Sequence, residues 1–256
     1  MSSLRARCPD CRTLTAVAIG AEYQCHSCGR EFAAGLVRVP RAWGEGGEAM
    51  AEAAALDVPY PETAVVAEET LEKQTRVLAA SLPERPLVLG GCCCSHIGAA
   101  EGLARRAGGR LGVVWLDAHG DLNTPETSPS GNLWGMPFRM LLDGGSVSAS
   151  DVALVGARSL DPGELEFIAA NGIDDSLDRA LAGVERVYLA LDLDVLDPGE
   201  ISVHVPEPDG LSVAQVEAIV ADVAARVTVA GVGVTGLVPA EPNGPVVRRL
   251  LAAAGF

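Results

Sequence analysis

An acidic segment directly after an apolar run constrains the fold of this chain more than any other feature. Asp117, His119 and Asp121 occupy alternate positions after the run 111–116. Residues two apart in a strand project to the same side, and the carboxyl ends of parallel strands open into the crevice where α/β proteins bind ligands. The segment therefore predicts three polar side chains that face one ligand-binding crevice.

A second segment has the same pattern. Asp192 and Asp194 are two residues apart at the end of the apolar run 187–191. Four carboxylates and one imidazole in one crevice would repel each other and be costly to desolvate, but together they supply the oxygen and nitrogen ligands of two divalent cations. The two segments predict a metal site.

Short apolar runs alternate with longer helical stretches from about residue 35 onward, which predicts an α/β fold. The predicted strands are 36–39, 86–89, 111–116, 152–156, 187–191 and 227–234. The predicted helices are 48–55, 68–81, 98–107, 162–170, 213–225 and 245–254. Strands that are apolar throughout predict a mostly parallel sheet covered on both faces, in three α/β/α layers. The 256 residues, 48% of them hydrophobic, suffice for one such domain and a small appendage.

The cysteines near the N-terminus predict that appendage. Cys8 and Cys11 form one C-x2-C pair, Cys25 and Cys28 form another, and 13 residues separate the two pairs. Four thiolates at this spacing suit a tetrahedral structural Zn²⁺, and so short a segment has too little apolar surface to fold without one. The alternative is four reduced surface thiols, which are prone to oxidation. We expect a zinc ribbon over residues 1–34, with a structural or assembly role, and a metal-binding domain over 35–256.

The charge distribution argues against nucleic acid as a partner of the larger domain. The net charge is −15, and it divides into +3 for residues 1–41 and −18 for the remainder. No apolar run approaches the roughly 20 residues that span a bilayer, and the N-terminus leads into cysteines rather than an apolar signal region. We therefore expect a cytoplasmic protein without a membrane partner.

Residues 35–256 resemble the arginase and agmatinase superfamily, the ureohydrolases. The segment 117–137 resembles the arginase branch nearly residue for residue, and 191–198 is similar to the superfamily's second metal segment. Gly90-Gly91 before a predicted helix is similar to its first metal segment. The resemblance implies the arginase fold, assembly into a trimer or hexamer, and hydrolysis of a C–N bond at an amidino carbon by metal-bound hydroxide.

The resemblance also implies the ligands of a binuclear manganese site. Asp117 and Asp192 would bridge two Mn²⁺ ions. Asp121 would complete the shell of one ion, and His119 and Asp194 would complete that of the other.

The same resemblance implies a small amino-acid-like substrate, rather than agmatine or free guanidine. Asn123, Ser130 and Asn132 match residues that hold an α-carboxylate. Asp161 and Glu164 match residues that hold an α-amino group. The alternative for each is that it stabilises a long loop through side-chain to backbone bonds.

The first metal segment departs from the family pattern. Aligned without gaps, it places Cys93 where the family has a histidine ligand. Cys93 is then a thiolate ligand, which shifts preference from Mn²⁺ toward a softer ion such as Zn²⁺, Fe²⁺ or Ni²⁺. Alternatively, Cys93 is a non-ligand beside a single metal, or His96 reaches the site from a differently wound turn.

Two further departures affect the catalytic groups. Trp134 stands where arginases carry a histidine that transfers a proton, and an indole does not titrate in water. Trp134 instead closes the pocket, stacks on a planar cation or simply packs. Gly236 stands where the arginase branch has a glutamate that pairs with the guanidinium; Glu241 either replaces it or is solvated. His204 is either a replacement acid or an ordinary loop histidine.

Together these residues predict a metal-dependent C–N hydrolase of an arginine-like amino acid, with Asp121, His204 and Trp134 beside the reacting atoms. The rival is a catalytically silent protein of the same fold that binds a metal or an amino acid as a sensor or assembly subunit.

Overall fold

The computed structural model describes residues 5–6, 8, 10–11, 13, 15–19, 22–32, 34–108, 110–238, 240 and 243–256. The N-terminal part forms a small antiparallel sheet in the order β1-β2-β3-β4. Its strands are β1 (Arg5–Ala6), β2 (Ala16–Ile19), β3 (Glu22–Cys25) and β4 (Glu31–Phe32). The rings of Tyr23 and Phe32 stack with centroids 5.4 Å apart in a separate small core. This is consistent with the predicted N-terminal module.

The rest of the described chain is built around one larger sheet in which every pairing is parallel. Its strands are β5 (Ala34–Val39), β6 (Glu62–Val65), β7 (Arg85–Gly90), β8 (Leu111–Leu116), β9 (Val152–Val155), β10 (Arg186–Asp192) and β11 (Thr228–Thr235). Their spatial order is β6-β5-β7-β11-β10-β8-β9. The predicted mostly parallel sheet is confirmed.

The helices alternate with these strands along the chain. Their bounds are α1 (Gly47–Met50), α2 (Leu71–Ser81), α3 (Ser95–Ala107), α4 (Pro137–Asp143), α5 (Pro162–Asn171), α6 (Leu177–Ala180), α7 (Val213–Arg226) and α8 (Asn243–Ala253). Short 3₁₀ turns lie at Ala51–Ala55, Leu133–Gly135, Ala149–Asp151 and Leu193–Val195. No helix within the described ranges has the length and apolar character needed to cross a membrane.

Apolar side chains cover both faces of the sheet, because successive strand residues point to opposite sides. Leu87 and Leu89 of β7 face a core shared with α7 and α8, whereas Val88 faces a core shared with α2, α3 and α4. The sheet is therefore the middle of three layers, as predicted.

Some predicted elements were wrong or missing. Sequence reasoning missed β6, a four-residue edge strand that begins Glu62-Thr63 and so lacks a continuous apolar run. It also missed α4 and α6, which are too short to show helical periodicity. The predicted helix 48–55 divides into α1 and a 3₁₀ turn, and α3 begins at Ser95 rather than Gly98.

Candidate metal centre

The predicted metal-binding residues lie at the carboxyl edge of the sheet. β8 and β10 are parallel neighbours, with Leu116 opposite Leu191. Asp117 follows the first of these residues and Asp192 follows the second, so the two carboxylates leave adjacent strands at the same edge. β7 ends at the same edge, and the turn after it carries Cys93.

Within the described residues, the side chains form two donor groups that share one carboxylate. Cys93, Asp117 and Asp192 form the first group, and Asp117, His119 and Asp194 form the second. Within each group the candidate ligand atoms lie within 4.8 Å of one another. Nδ1 of His119 is 3.0 Å from Oδ2 of Asp194 and 3.4 Å from Oδ1 of Asp117. The shared Asp117 places the two groups side by side.

Asp121 lies in the same cavity but outside both groups. Its side chain is buried, and Oδ2 has no hydrogen-bond partner among the described residues. Its backbone φ is 53°, a left-handed value that is unusual for a residue other than glycine. A buried carboxylate oxygen without a partner is costly, and a cation would satisfy it.

The electrostatics of these side chains fit a cation centre. Burial and the charge of Asp194 raise the pKa of Asp192 to about 7, and burial and the charge of Asp117 raise the pKa of Asp194 to about 6. Burial alone would lower the pKa of His119, but hydrogen bonds and charge from Asp117 and Asp194 raise it to about 12. Burial and mutual repulsion raise the pKa values of all four carboxyl groups that surround the single imidazolium, and divalent cations would relieve this repulsion.

The Cys93 thiol lies beside the carboxylates of Asp192 and Asp117. Its Sγ is 2.8 Å from Oδ2 of Asp192 and 3.8 Å from Oδ2 of Asp117. Burial, with the neighbouring carboxylates, raises the pKa of Cys93 well above its usual range, so a thiolate at this position needs a cation. His96 belongs to neither donor group: its ring nitrogens contact Tyr188 and Thr235. Of the sequence alternatives, this geometry favours the one in which Cys93 is a ligand.

A cavity of about 340 Å³ opens beside the two groups and contains the predicted substrate-binding residues. Nδ2 of Asn123 donates to Oδ2 of Asp161 at 2.8 Å. Both carboxylate oxygens of Glu164 accept backbone N–H groups, from Leu122 and Asp161, at 2.9 Å. Glu164 thereby caps α5 and fixes the segment that carries Asn123.

Ser130, Asn132 and Trp134 also line the cavity. Oδ1 of Asn132 accepts the backbone N–H of Glu45 at 2.9 Å. A Cβ at Gly44 would lie 2.4 Å from the Trp134 ring, so the loop before α1 packs directly on the indole. Trp134 is therefore part of the cavity wall.

Gly236, the residue after β11, also lines the cavity and lies against Asp192. Gly236 has a φ of 80°, and a Cβ there would lie 2.0 Å from Oδ1 of Asp192. The backbone N–H of His204 donates to the carbonyl of Gly236 at 2.8 Å, which holds the His204 loop over the cavity. Glu241, the other candidate acid, lies outside the described residues.

A larger open groove of about 830 Å³ is lined by residues that include Leu56, Leu237 and Arg248. Its described lining includes none of the predicted site residues. The predicted catalytic-domain site residues line the smaller cavity instead.

The four N-terminal cysteines form a third cluster. Sγ of Cys8 lies 3.5 Å from that of Cys28, and Sγ of Cys11 lies 3.5 Å from that of Cys25. The four sulfur atoms lie within 4.8 Å of one another, a grouping suited to one tetrahedral cation.

The family follows from a sequence comparison. The sequence model of the arginase family matches residues 42–244, most of the chain. The chain belongs to the arginase family. The arginase of Bacillus subtilis (strain 168) is 35% identical over 198 residues, covering 61% of this chain and 66% of the relative. The arginase of Brevibacillus brevis is 41% identical over 157 residues, covering 50% of this chain and 52% of the relative. This arginase-family chain spans about half to two thirds of the length of the curated relatives it matches.

Solved structures agree with this assignment. The Bacillus subtilis arginase structure superposes on the arginase-family chain with a TM-score of 0.74 at 25% identity, covering 86% of this chain and 97% of that chain. The Bacillus cereus arginase structure gives a TM-score of 0.71 at 26% identity, with the same coverage. A formimidoylglutamase from Bacillus subtilis, at 16% identity and a TM-score of 0.67, shares the fold.

Sequence reasoning missed three residues of this arginase-family site. Oε1 of Glu207 lies 3.5 Å from Nε2 of His119, on the side of the ring away from Asp194. Arg158 donates to five backbone carbonyls, including those of Asp194 and Glu207. Thr235 donates to Asp192. Of the three, only Glu207 has a recognisable signal in the sequence, because it stands between two prolines in the loop that carries His204.

Proposed function

We propose that this chain is a metal-dependent hydrolase that cleaves an amidino-type C–N bond in a small amino-acid-like substrate. The observation that supports this function best is the position of Asp117, shared between two donor groups at the carboxyl edge of the sheet. An arrangement of this kind suits two neighbouring divalent cations better than a single cation.

The proposed metal ligands are the residues predicted from sequence. Asp121 and Cys93 would hold one cation and His119 and Asp194 the other, with Asp117 and Asp192 as ligands shared between them. The carboxylates suit Mn²⁺, whereas the thiolate favours Zn²⁺, Fe²⁺ or Ni²⁺. When bound, the cations supply a water of lowered pKa and Lewis acidity toward the substrate.

The polar end of the cavity binds the amino-acid end of the substrate. Asn123, Ser130 and Asn132 provide amide and hydroxyl donors for a carboxylate, and Asp161 provides an acceptor for an ammonium group. Glu164 supports this end through the backbone of Leu122 and Asp161. The cavity therefore suits a zwitterion, whose reacting end points toward the carboxylates.

His204 is the proposed proton donor to the leaving amine. It lines the cavity together with Gly236 and Asp192, and its loop is held by the hydrogen bond from its own backbone to Gly236. The ring nitrogens of an imidazole can donate and accept protons, which suits this side chain to general acid catalysis. Trp134, which also lines the cavity, excludes water and does not transfer protons.

The N-terminal residues 1–34 form a separate zinc ribbon in this proposal. The four cysteines hold a structural Zn²⁺, which stabilises a segment with a very small apolar core. The ribbon supports assembly into a homo-oligomer, a trimer or a hexamer, rather than catalysis.

Metal analysis followed by turnover tests the proposed function. The purified protein is loaded with Mn²⁺, Zn²⁺, Fe²⁺ or Ni²⁺, and urea and ammonia release is measured with guanidino, ureido and formimidoyl amino acids. We expect two metals per chain beyond the ribbon zinc, and turnover that is lost in Asp192→Asn but kept in Asp222→Asn, an exposed control.

The rival function is a catalytically silent amino-acid or metal sensor. The observation that favours it is Gly236, whose position against Asp192 leaves no room for a side chain that would pair with a cationic substrate. Binding of an amino acid without turnover of any compound in the panel would support the rival and contradict the hydrolase.

A further inference from the structure

A chain of buried polar groups runs from the interior of the sheet to the proposed metal centre. The hydroxyl of Tyr188 lies 2.8 Å from Nδ1 of His96, and Nε2 of His96 lies 3.2 Å from Oγ1 of Thr235. Oγ1 of Thr235 lies 2.9 Å from Oδ2 of Asp192 and 3.3 Å from Sγ of Cys93. Tyr188, His96 and Thr235 are each fully buried.

The hydrogen bonds that link Tyr188, His96, Thr235 and Asp192 all run in one direction. The carboxylate of Asp192 accepts, so the single hydroxyl proton of Thr235 is donated to it. Oγ1 of Thr235 must then accept from Nε2–H of His96. Burial lowers the pKa of His96 to about 3, so the ring is neutral and Nδ1 has no proton. Nδ1 therefore accepts from the hydroxyl of Tyr188.

Gly233 leaves the space that these buried polar side chains occupy. A Cβ at Gly233 would lie 2.1 Å from the Tyr188 hydroxyl and 2.5 Å from Nδ1 of His96, so only glycine fits there. The His96 ring meets Trp115 edge-on at 5.0 Å and is otherwise in an apolar layer. Burying polar groups in such a layer is unfavourable unless each is paired, and here each one is.

We propose that Tyr188, His96 and Thr235 are positioning residues for the metal centre. They deliver one directed hydrogen bond to Asp192 beside Cys93, and thereby hold both donors in the orientation that binds a divalent cation. This rests on the proposed metal centre and assigns His96 a role other than that of a ligand. Outer-sphere partners of this kind typically change metal affinity by about 10- to 100-fold.

Co²⁺ titration of the full chain, with the four N-terminal cysteines kept saturated with Zn²⁺, tests the proposal. The part of the thiolate–cobalt charge-transfer band that is lost in Cys93→Ser then reports binding at Cys93 independently of turnover. Thr235→Val keeps the shape of the side chain and removes its hydroxyl. We expect it to weaken Co²⁺ binding by about 10- to 100-fold and to weaken the band. We expect Thr235→Ser to retain the Co²⁺ affinity and the band of the parent protein. We expect Tyr188→Phe to weaken Co²⁺ binding by a smaller factor than Thr235→Val.

Ser95→Ala is the matched control. The substitution removes a buried hydroxyl of α3 that has no hydrogen-bond partner among the described residues. This variant should bind Co²⁺ like the parent protein. If Ser95→Ala and Tyr188→Phe weaken binding equally, the role is merely structural and the proposal is overturned. Equal affinity of Thr235→Val and the parent also overturns the proposal but leaves the metal centre standing. A parent protein without the band overturns the Cys93 site and the positioning role together.

Discussion

The thiol of Cys93 lies 2.8 Å from a carboxylate oxygen of Asp192, and both side chains are buried at the carboxyl edge of the sheet. A sulfur donor beside oxygen donors makes one half of the proposed centre softer than the other, where His119 meets Asp194. This asymmetry leads to a first prediction, on the choice of metal.

We expect the parent protein to prefer Zn²⁺ over Mn²⁺, and Cys93→His to reduce this preference by about tenfold or more, because imidazole is a harder ligand than thiolate. Competition titrations with the two metals measure the ratio of dissociation constants. Cys92→Ser, a change at the adjacent buried thiol outside both donor groups, is the control. An unchanged ratio in Cys93→His would show that the sulfur is not a ligand.

Metal binding should depend on pH. The pKa values of Asp192 and Asp194 are raised to about 7 and about 6, so between about pH 4 and pH 7 the folded chain holds protons that the unfolded chain has lost. The stability that these two groups contribute to EDTA-treated protein is therefore greatest below about pH 4 and falls as the pH rises toward 7. Since cations compete with these protons, the increase in Tm on adding Zn²⁺ should be larger at about pH 8 than at about pH 5.

Thermal unfolding with and without EDTA at the two pH values measures this difference. Asp192→Asn removes one of the two titrating carboxyls and should reduce the dependence on pH. An increase in Tm that is the same at both pH values would contradict the assignment of these carboxylates as ligands.

Gly236 should be required for the geometry of the centre. Gly236→Ala places a methyl group against Oδ1 of Asp192 and should weaken metal binding. Gly131→Ala is the matched control, because Gly131 also has a positive φ, of 69°, but its Cβ would meet nothing within 4 Å. Both variants should lose about 1 kcal/mol of stability through the backbone. Isothermal titration with Zn²⁺ should separate them, and equal affinities would exclude the steric argument.

Arg158 should stabilise the loop that carries His204 and Glu207. Its guanidinium donates to the carbonyls of Asp194, Glu207 and Pro208, among others. A lysine cannot reach several carbonyls at once, so we expect Arg158→Lys to lower the free energy of unfolding by about 2 kcal/mol. Urea denaturation measures the change. Arg249→Lys, in an exposed ion pair with Glu217, should leave the free energy of unfolding nearly unchanged, because solvent screens an exposed pair.

The N-terminal cluster should hold one zinc ion per chain. Cys25→Ser removes one of four sulfur ligands and should abolish this zinc and make residues 1–34 sensitive to proteolysis. His26→Ala, at an exposed histidine outside the cluster, should retain it. Elemental analysis and limited digestion measure the two outcomes; retention of zinc in Cys25→Ser would contradict the ribbon.

Local patterns in the sequence determined the metal segments, the parallel sheet and the cysteine cluster. Alternating Asp117, His119 and Asp121 after an apolar run specify a strand end, because period and burial are properties of neighbouring residues. Elements without such periodicity, such as β6 and α4, could not be found in this way.

The tertiary structure alone decided which distant residues meet. Cys93 comes to Asp192 only because β11 lies between β7 and β10 and all three strands end at one edge. The same packing gives His96 hydrogen bonds to Tyr188 and Thr235 instead of a place in the donor groups, and leaves Gly236 without space for a side chain. These relationships depend on distances between segments far apart in sequence, and the order of the strands together with the packing of the helices on the sheet sets those distances.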